Sequence, residues 1–264
     1  MVETTTKTVS GIETEVRTGG AGRPLVFLHG GLGLERHDAF LDGLAGHFRV
    51  LAPALPGFGR TDWPREIRGM SDLACFVLDL AEDEAIEDAV LVGSSFGGWL
   101  ALELLVRGPA RFACAVLVDA LGVKFGDHLT RDITDIHARE EAEVQRLLFH
   151  DPAVLARDPA SLSEDALTAI VRAREAFTFF GWKPYMHDPS LRRWLHRIGV
   201  PSLVVWGAAD GFVGADYGRA LAAAMPGAGF ELIPEAGHYP PIETPEALVR
   251  LIRDFAAGAA AAAA

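Results

Sequence analysis

The chain has 264 residues, half of them hydrophobic, enough to bury one large core. Its formal net charge of −12 sets nucleic acid and anionic membranes aside as partners. Its two cysteines, Cys75 and Cys114, lack C-x-x-C spacing, which excludes a disulfide framework; both read as core thiols in a reducing compartment.

Residues Met1 to Lys7 lack the apolar segment of a signal peptide, and no apolar run is long enough to cross a bilayer. The expectation is a soluble, cytoplasmic protein. Residues 7–18 alternate around Gly11 and predict an antiparallel hairpin with its turn there. Leu25 to Leu28 reads as a buried strand ending at His29. A short helix over 37–46 precedes a strand over Phe48 to Ala52, which Pro53 and the Pro56-Gly57-Phe58-Gly59 turn stop. Ser71 is a candidate N-cap for a helix running to about Ile86. Ala89 to Val92 is the next buried strand. A helix over 96–107 ends at Gly108-Pro109, and a strand follows over Ala113 to Val118.

Between about Gly122 and Ile198 the alternation stops. Arg131–Phe149, Ser161–Phe180 and Pro189–His196 read as helices, with no strand candidate among them. Strands resume at Ser202 to Trp206 and Phe230 to Ile233. The last helix begins with Thr244 as N-cap and Pro245 at its first position, then runs toward the low-complexity alanine stretch Ala256 to Ala264. Strands apolar on both faces, alternating with helices, imply the α/β class with a parallel sheet covered on each side. The expected organisation is a core of 1–121 and 198–264 with a helical cap of 122–197 inserted over the strand ends.

Gly93-Ser94-Ser95-Phe96-Gly97 stands between a strand and a helix, the pattern of a nucleophile elbow. The turn is tight, and a Cβ at Gly93 or Gly97 would crowd it; the Ser95 hydroxyl sits exposed at the apex. A serine needs a base, and the base needs an orienting group. His238, in Ala236-Gly237-His238-Tyr239-Pro240, follows the last strand and shares the sheet edge with the elbow. Asp210 ends the segment Leu203 to Ala209, one strand earlier, and gives the chain order Ser, Asp, His. Asp119, at the end of the strand before the insertion, is a rival acid, able to reach the histidine or to support it. For the oxyanion, Phe96 offers one backbone N–H, and Gly31, with Leu32 as second choice, offers the other from His29-Gly30-Gly31-Leu32-Gly33.

That glycine-rich loop lacks the phosphate-binding spacings, and no lysine follows it. His29 reads as a brace for the loop. The nine histidines include no H-E-x-x-H pair, so neither metal nor organic cofactor is expected. The pocket should lie between sheet and cap. Phe58, Phe212 and Tyr239 are candidate substrate-binding residues at its mouth. Most cap aromatics, among them Phe177, Phe179 and Trp182, should pack the cap on the core, with a few facing Ser95.

Together these segments resemble the α/β-hydrolase fold superfamily. The matching pieces are His29-Gly30-Gly31, Ala54-Leu55-Pro56-Gly57-Phe58-Gly59-Arg60-Thr61, Gly93 to Gly98, Trp206 to Asp210, and Ala236-Gly237-His238 with Glu243 and Pro245. The resemblance implies an eight-stranded, mostly parallel sheet with its second strand antiparallel, and a helical cap. Members that open epoxides or displace halide carry aspartate at the elbow, so Ser95 disfavours those reactions. Ring-cleavage carbon–carbon hydrolases look similar around His29 but continue with Pro-Gly-Ala, where this chain has Gly33-Leu34-Glu35. Cofactor-free peroxidases carry methionine where this chain has Phe96. The implied activity is a serine esterase acting on a small, apolar carboxylic ester through an acyl-enzyme. A carbon–carbon hydrolase of the meta-cleavage type is the alternative, and a non-catalytic small-ligand receptor a third reading. Oligomeric state is left open.

Overall fold

A computed structural model describes residues 1–108, 110–155 and 161–263 of the chain. Strands β1 (Glu3–Val9) and β2 (Ile12–Gly19) form the hairpin, with Ser10 and Gly11 both at positive φ, 48° and 80°, in its turn. Then come β3 (Pro24–Leu28), α1 (Asp38–Ala45), β4 (Arg49–Pro53), α2 (Met70–Asp83), β5 (Ala89–Ser94), α3 (Phe96–Leu105) and β6 (Phe112–Val118). The chain returns to the sheet with β9 (Ser202–Gly207), α7 (Ala215–Ala224) and β10 (Gly229–Ile233), and closes with α8 (Pro240–Glu243) and α9 (Pro245–Ala263). The eight strands run in the order β1-β2-β4-β3-β5-β6-β9-β10. β2 is antiparallel to β1 and β4, and every other pairing is parallel.

The centre of this sheet is buried on both faces. Every residue of β5 and of β9 is buried, as parallel strands covered on both faces require. The carboxyl ends of β3, β5, β6, β9 and β10 therefore open on one edge, where the loops carrying His29, Ser95, Asp119, Asp210 and His238 gather.

The segment between β6 and β9 departs from the all-helical expectation. It contains β7 (Gly122–Val123) and β8 (His187–Asp188), which pair in parallel, and between them α4 (Glu141–Leu148), α5 (Glu164–Gly181) and a 3-10 turn over Pro152–Leu155; α6 (Leu191–Trp194) follows. Two-residue strands leave no periodic signal to read. The expected helix over Arg131–Phe149 is shortened to α4 because aspartates capture nearby amides. Asp127 accepts from Leu129 and Thr130, Asp132 from Phe125 and Gly126, and Asp135 from His137. Ser163, by contrast, caps α5, its hydroxyl accepting from Ala166 N–H at 3.2 Å. Pro109, the expected stop after α3, the stretch 156–160 of the insertion, and Ala264 lie outside the described residues.

Three further expectations are corrected. Ser71 does not cap α2. The helix starts earlier, and Asp72 reaches back to the amides of Arg68 (2.8 Å) and Gly69 (3.0 Å). Cys75 is exposed, because Leu73, Ala74, Phe76 and Val77 take the core face of α2, whereas Cys114 is buried. Thr244 precedes α9 as expected, but its hydroxyl donates to Pro240 O rather than closing the helix. No helix among the described residues is long and apolar enough to cross a membrane.

The turn between β5 and α3 packs backbone against backbone. A Cβ on Gly97 would lie 2.0 Å from Leu28 O and 2.6 Å from His29 O. A Cβ on Gly93 would lie 2.5 Å from Gly97 O. Backbone cannot rotate aside as a side chain can. Gly97→Ala should therefore cost about 3 kcal/mol or more, lowering Tm by roughly 6–12 °C for a chain of this size. Thermal denaturation followed by circular dichroism checks it; an unchanged Tm would refute the close packing.

Candidate active site

Ser95 joins β5 to α3 with φ 54° and ψ −115°. A side-chain-bearing residue held there stores about 1–3 kcal/mol of strain. Three backbone bonds fix it. Ser95 N–H donates to Val118 O (2.8 Å), and Ser95 O accepts from Trp99 N–H (3.1 Å) and Leu121 N–H (3.1 Å). The bend turns the hydroxyl toward the loop after β10, where Ser95 Oγ lies 2.7 Å from His238 Nε2.

His238 Nδ1 lies 2.7 Å from Asp210 Oδ2. Asp210 Oδ1 accepts from Phe212 N–H and Val213 N–H, both at 2.9 Å. Backbone donors on one oxygen and the imidazole on the other give Asp210 the surroundings of a carboxylate. The ring proton then belongs on Nδ1, which leaves Nε2 to accept from the serine. Of the two acids the sequence offers, Asp210 is the one that bonds the imidazole.

Asp119 sits beside the pair. Its N–H donates to Val205 O (3.0 Å) and its Oδ1 accepts from Gly207 N–H (2.9 Å), so it ties β6 to β9. Its Oδ2 has no hydrogen-bond donor among the described residues. Burial, then the Asp210 carboxylate nearby, push the Asp119 carboxyl well above the usual range. Asp119, Asp210 and His238 also form the one group of three such side chains, among the described residues, close enough to share an ion, with donor atoms within 4.8 Å of one another. His238 already engages both ring nitrogens, with Asp210 and with Ser95.

Both loops are held from the inserted segment, which sequence reasoning missed. Gly211 N–H donates to Leu147 O (2.9 Å), and His238 N–H donates to Leu148 O (2.7 Å). The last carbonyls of a helix have no partner within it, and α4 uses two of them to grip the loop of Asp210 and the loop of His238. The approach needs glycine: a Cβ at Gly237 would lie 2.6 Å from Leu148 O. Glu243 completes the joint, its carboxylate accepting from Gly237 N–H (2.7 Å) and Asp151 N–H (3.0 Å). The signals were Gly237 and Glu243 themselves; the helix they meet is remote in sequence.

On the other side of Ser95, Phe96 opens α3, where the first N–H groups have no partner within the helix. The loop after β3 turns by Gly33 N–H donating to Gly30 O (3.1 Å), a bond that leaves the Gly31 and Leu32 amides unused. Gly30 packs on Ser95: a Cβ there would lie 3.1 Å from Ser95 Cβ. His29 braces this loop, Nδ1 donating to Gly30 O (2.8 Å) and Nε2 accepting from Leu55 N–H (3.0 Å). Burial lowers its pKa to about 3, so it is neutral.

The serine is covered, not exposed. Phe177 of α5 lies over the loop, where a Cβ on Gly31 would meet its ring at 2.8 Å, and it packs edge-on against Phe96 at 5.8 Å. Ser95 and His238 have no solvent exposure. A cavity of about 220 Å³ lies next to them, with Gly31, Leu32, Leu148, Phe177, Phe212 and Tyr239 on its walls. Phe212 meets the His238 ring edge-on at 4.8 Å. Tyr239 stacks on Phe149 at 5.4 Å, and its buried phenol interacts with Ser95. Phe58 is a correction: its ring is buried between His29 (4.7 Å) and Phe96 (6.1 Å), so it supports the loop instead of lining the mouth. Trp182 is also corrected, since it stands more than half exposed and meets His137 of the same segment, whereas Phe179, though half exposed, packs edge-on against Trp63 of the core at 4.9 Å.

The chain belongs to the alpha/beta hydrolase family, whose pattern it matches over residues 25–251. It is 31% identical over 246 residues to the dihydrolipoyllysine-residue acetyltransferase component of the acetoin cleaving system of Cupriavidus necator, a match that takes in 89% of this chain but only 64% of that longer protein. It is 31% identical over 274 residues to 2-hydroxymuconate semialdehyde hydrolase of Pseudomonas sp. strain CF600, covering 96% of this chain and 94% of that one. Its fold superposes on a meta-cleavage product hydrolase of Pseudomonas fluorescens IP01 with a TM-score of 0.81, at 22% identity, over 97% of this chain and 98% of that one.

Two buried histidines make stability depend on pH. Burial lowers His29 to about 3 and His37, whose Nδ1 donates to Glu35 O (2.9 Å), to about 4, from an ordinary 6.5. The unfolded chain takes up both protons below about pH 6.5 while the folded one does not. Stability is therefore complete above that pH and lost as pH falls toward 4. His37 accounts for about 3 kcal/mol of the loss. In thermal melts from pH 8 to pH 4.5, His37→Gln should lose less Tm on acidification than wild type. Equal losses would mean that His37 is not held neutral.

Proposed function

We propose that the protein is a serine hydrolase that cleaves small carboxylic esters with an apolar acyl or alcohol group. Ser95 is the nucleophile, His238 the base and Asp210 the orienting acid. The observation that carries this reading is the unbroken line from Ser95 Oγ to His238 Nε2 and from His238 Nδ1 to Asp210 Oδ2, 2.7 Å at each step. Ser95 Oγ attacks the ester carbonyl as His238 takes its proton. The Phe96 and Gly31 amides receive the negative oxygen. His238, its charge balanced by Asp210 and by the carboxyl end of α4, then protonates the departing alcohol. Water repeats the cycle on the acyl-enzyme. These steps move only protons and an acyl group and call for no cofactor. The partner is a small-molecule ester, and the proposed place of action is the cytoplasm.

A second reading, carbon–carbon bond hydrolysis, is favoured by the similarity to 2-hydroxymuconate semialdehyde hydrolase. A muconate-derived substrate carries a carboxylate and calls for an unpaired cation. The arginines on the cavity wall are Arg139 and Arg174, and glutamates hold both, Glu143 the first and Glu141 the second at 2.7 Å. The apolar walls nearer Ser95 suit an uncharged ester.

With p-nitrophenyl butyrate, Ser95→Ala should lower kcat by roughly 10⁴-fold or more, with its melt unchanged. Retained activity in that variant would sink the reading. Loss of the yellow chromophore of a ring-cleavage dienol, faster than any ester is cleaved, would transfer the assignment to the second reading. On acidification kcat/KM should fall about tenfold for each pH step once His238 is protonated. A rate constant that stays level into strong acid would remove His238 as the base.

A further inference from the structure

The relay just described leaves one fully buried acid without a task. Asp119 ends β6, and its side chain lies within 4.8 Å of both Asp210 and His238. The donors around the two acids are unequal. Asp210 receives two backbone N–H groups and the imidazole, whereas Asp119 receives only Gly207 N–H, on Oδ1. Asp119 Oδ2 is buried and has no donor among the described residues. An ionised oxygen left so would carry a full desolvation cost, and two ionised carboxylates at this separation repel strongly in a site closed to water. The titratable groups around Asp119 are Asp210 on the loop after β9, His238 and the buried phenol of Tyr239 on the loop after β10, and Glu243 on α8, whose negative charge acts on it from farther away. A single proton on Oδ2 resolves both problems: it removes the second charge and turns an acceptor without a donor into a donor available to Asp210, which lies within 4.8 Å.

We propose that Asp119 is a neutral carboxylic acid that donates a hydrogen bond from Oδ2 to the Asp210 carboxylate, making it a positioning residue for the acid of the relay. The proposal rests on the reading of Ser95, His238 and Asp210 as that relay. Asp119 touches no reacting atom. It fixes which Asp210 oxygen faces the imidazole, and it keeps the net charge beside His238 at that of one carboxylate.

The test compares Asp119→Asn with Asp119→Ala. The amide keeps both bonds, accepting from Gly207 and donating to Asp210, and adds no charge; alanine removes both. Alanine should lower kcat by about 10- to 100-fold with little change in KM. Asparagine should recover at least tenfold of that loss and leave the acidic limb of kcat/KM where wild type has it. If Asp119 is ionised, asparagine removes a negative charge beside His238 and moves the limb to lower pH by about one pH step or more; that shift overturns the proposal, as does equal activity in the two variants. Infrared difference spectra of wild type against Asp119→Asn give a readout that needs no turnover. The carbonyl stretch of a protonated carboxylic acid should be present at pH 8 in wild type and missing in the variant, and its absence from wild type overturns the proposal. Should Ser95→Ala retain ester hydrolysis, the function reading fails, while the infrared band still decides the state of Asp119.

Discussion

Everything at the carboxyl edge of the sheet depends on how closely the first turn of α3 approaches the end of β3. The Cα of Gly97 sits where any side-chain carbon would overlap Leu28 O. That contact sets the depth of the turn, and the depth sets where Ser95 emerges. With φ at 54°, Ser95 persists because Val118 of β6, Trp99 of α3 and Leu121 of the loop after β6 hold its amide and carbonyl. The strain is offset by the fold as a whole, so the hydroxyl is aimed before any substrate arrives. Gly30 repeats the device from the facing loop, and Gly31 does so beneath Phe177.

The second constraint is dryness. Ser95 and His238 have no contact with solvent, and the groups around them are chosen accordingly. His29 is kept neutral by burial and spends its two nitrogens on backbone. Asp210 meets three donors. A low dielectric strengthens each of these bonds and makes any unpaired charge costly. The same physics that sharpens the relay leaves room for only one carboxylate charge beside the imidazole.

Much of this is legible in the chain because the signals are local. Gly93 to Gly97 between an apolar run and a helical pattern describes a turn whose chemistry needs no distant information. His238 and Asp210 are readable because each follows a strand that must end on the same edge as β5. The choice between Asp210 and Asp119 is not local: both end strands, and only the three-dimensional reach to Nδ1 separates them. Phe58 reads as a mouth residue from its turn sequence, yet the packing of His29 and Phe96 draws it inward. The pairing of β7 with β8 leaves no trace in periodicity. Asp127, Asp132 and Asp135 shorten a helix through bonds to amides near them, a competition that hydrophobic spacing does not register.

The grip of α4 on both loops bears on how this architecture can change. Leu147 O and Leu148 O belong to the segment that covers the site, yet they fix Gly211 and His238, which belong to the machinery underneath. Lid and engine share a bearing. A hinge that swung α4 outward would release the His238 loop and the Asp210 loop together. Replacing the inserted segment on this sheet would accordingly exchange part of the seat of His238, and a chimaera would inherit the alignment of the new helix along with its pocket.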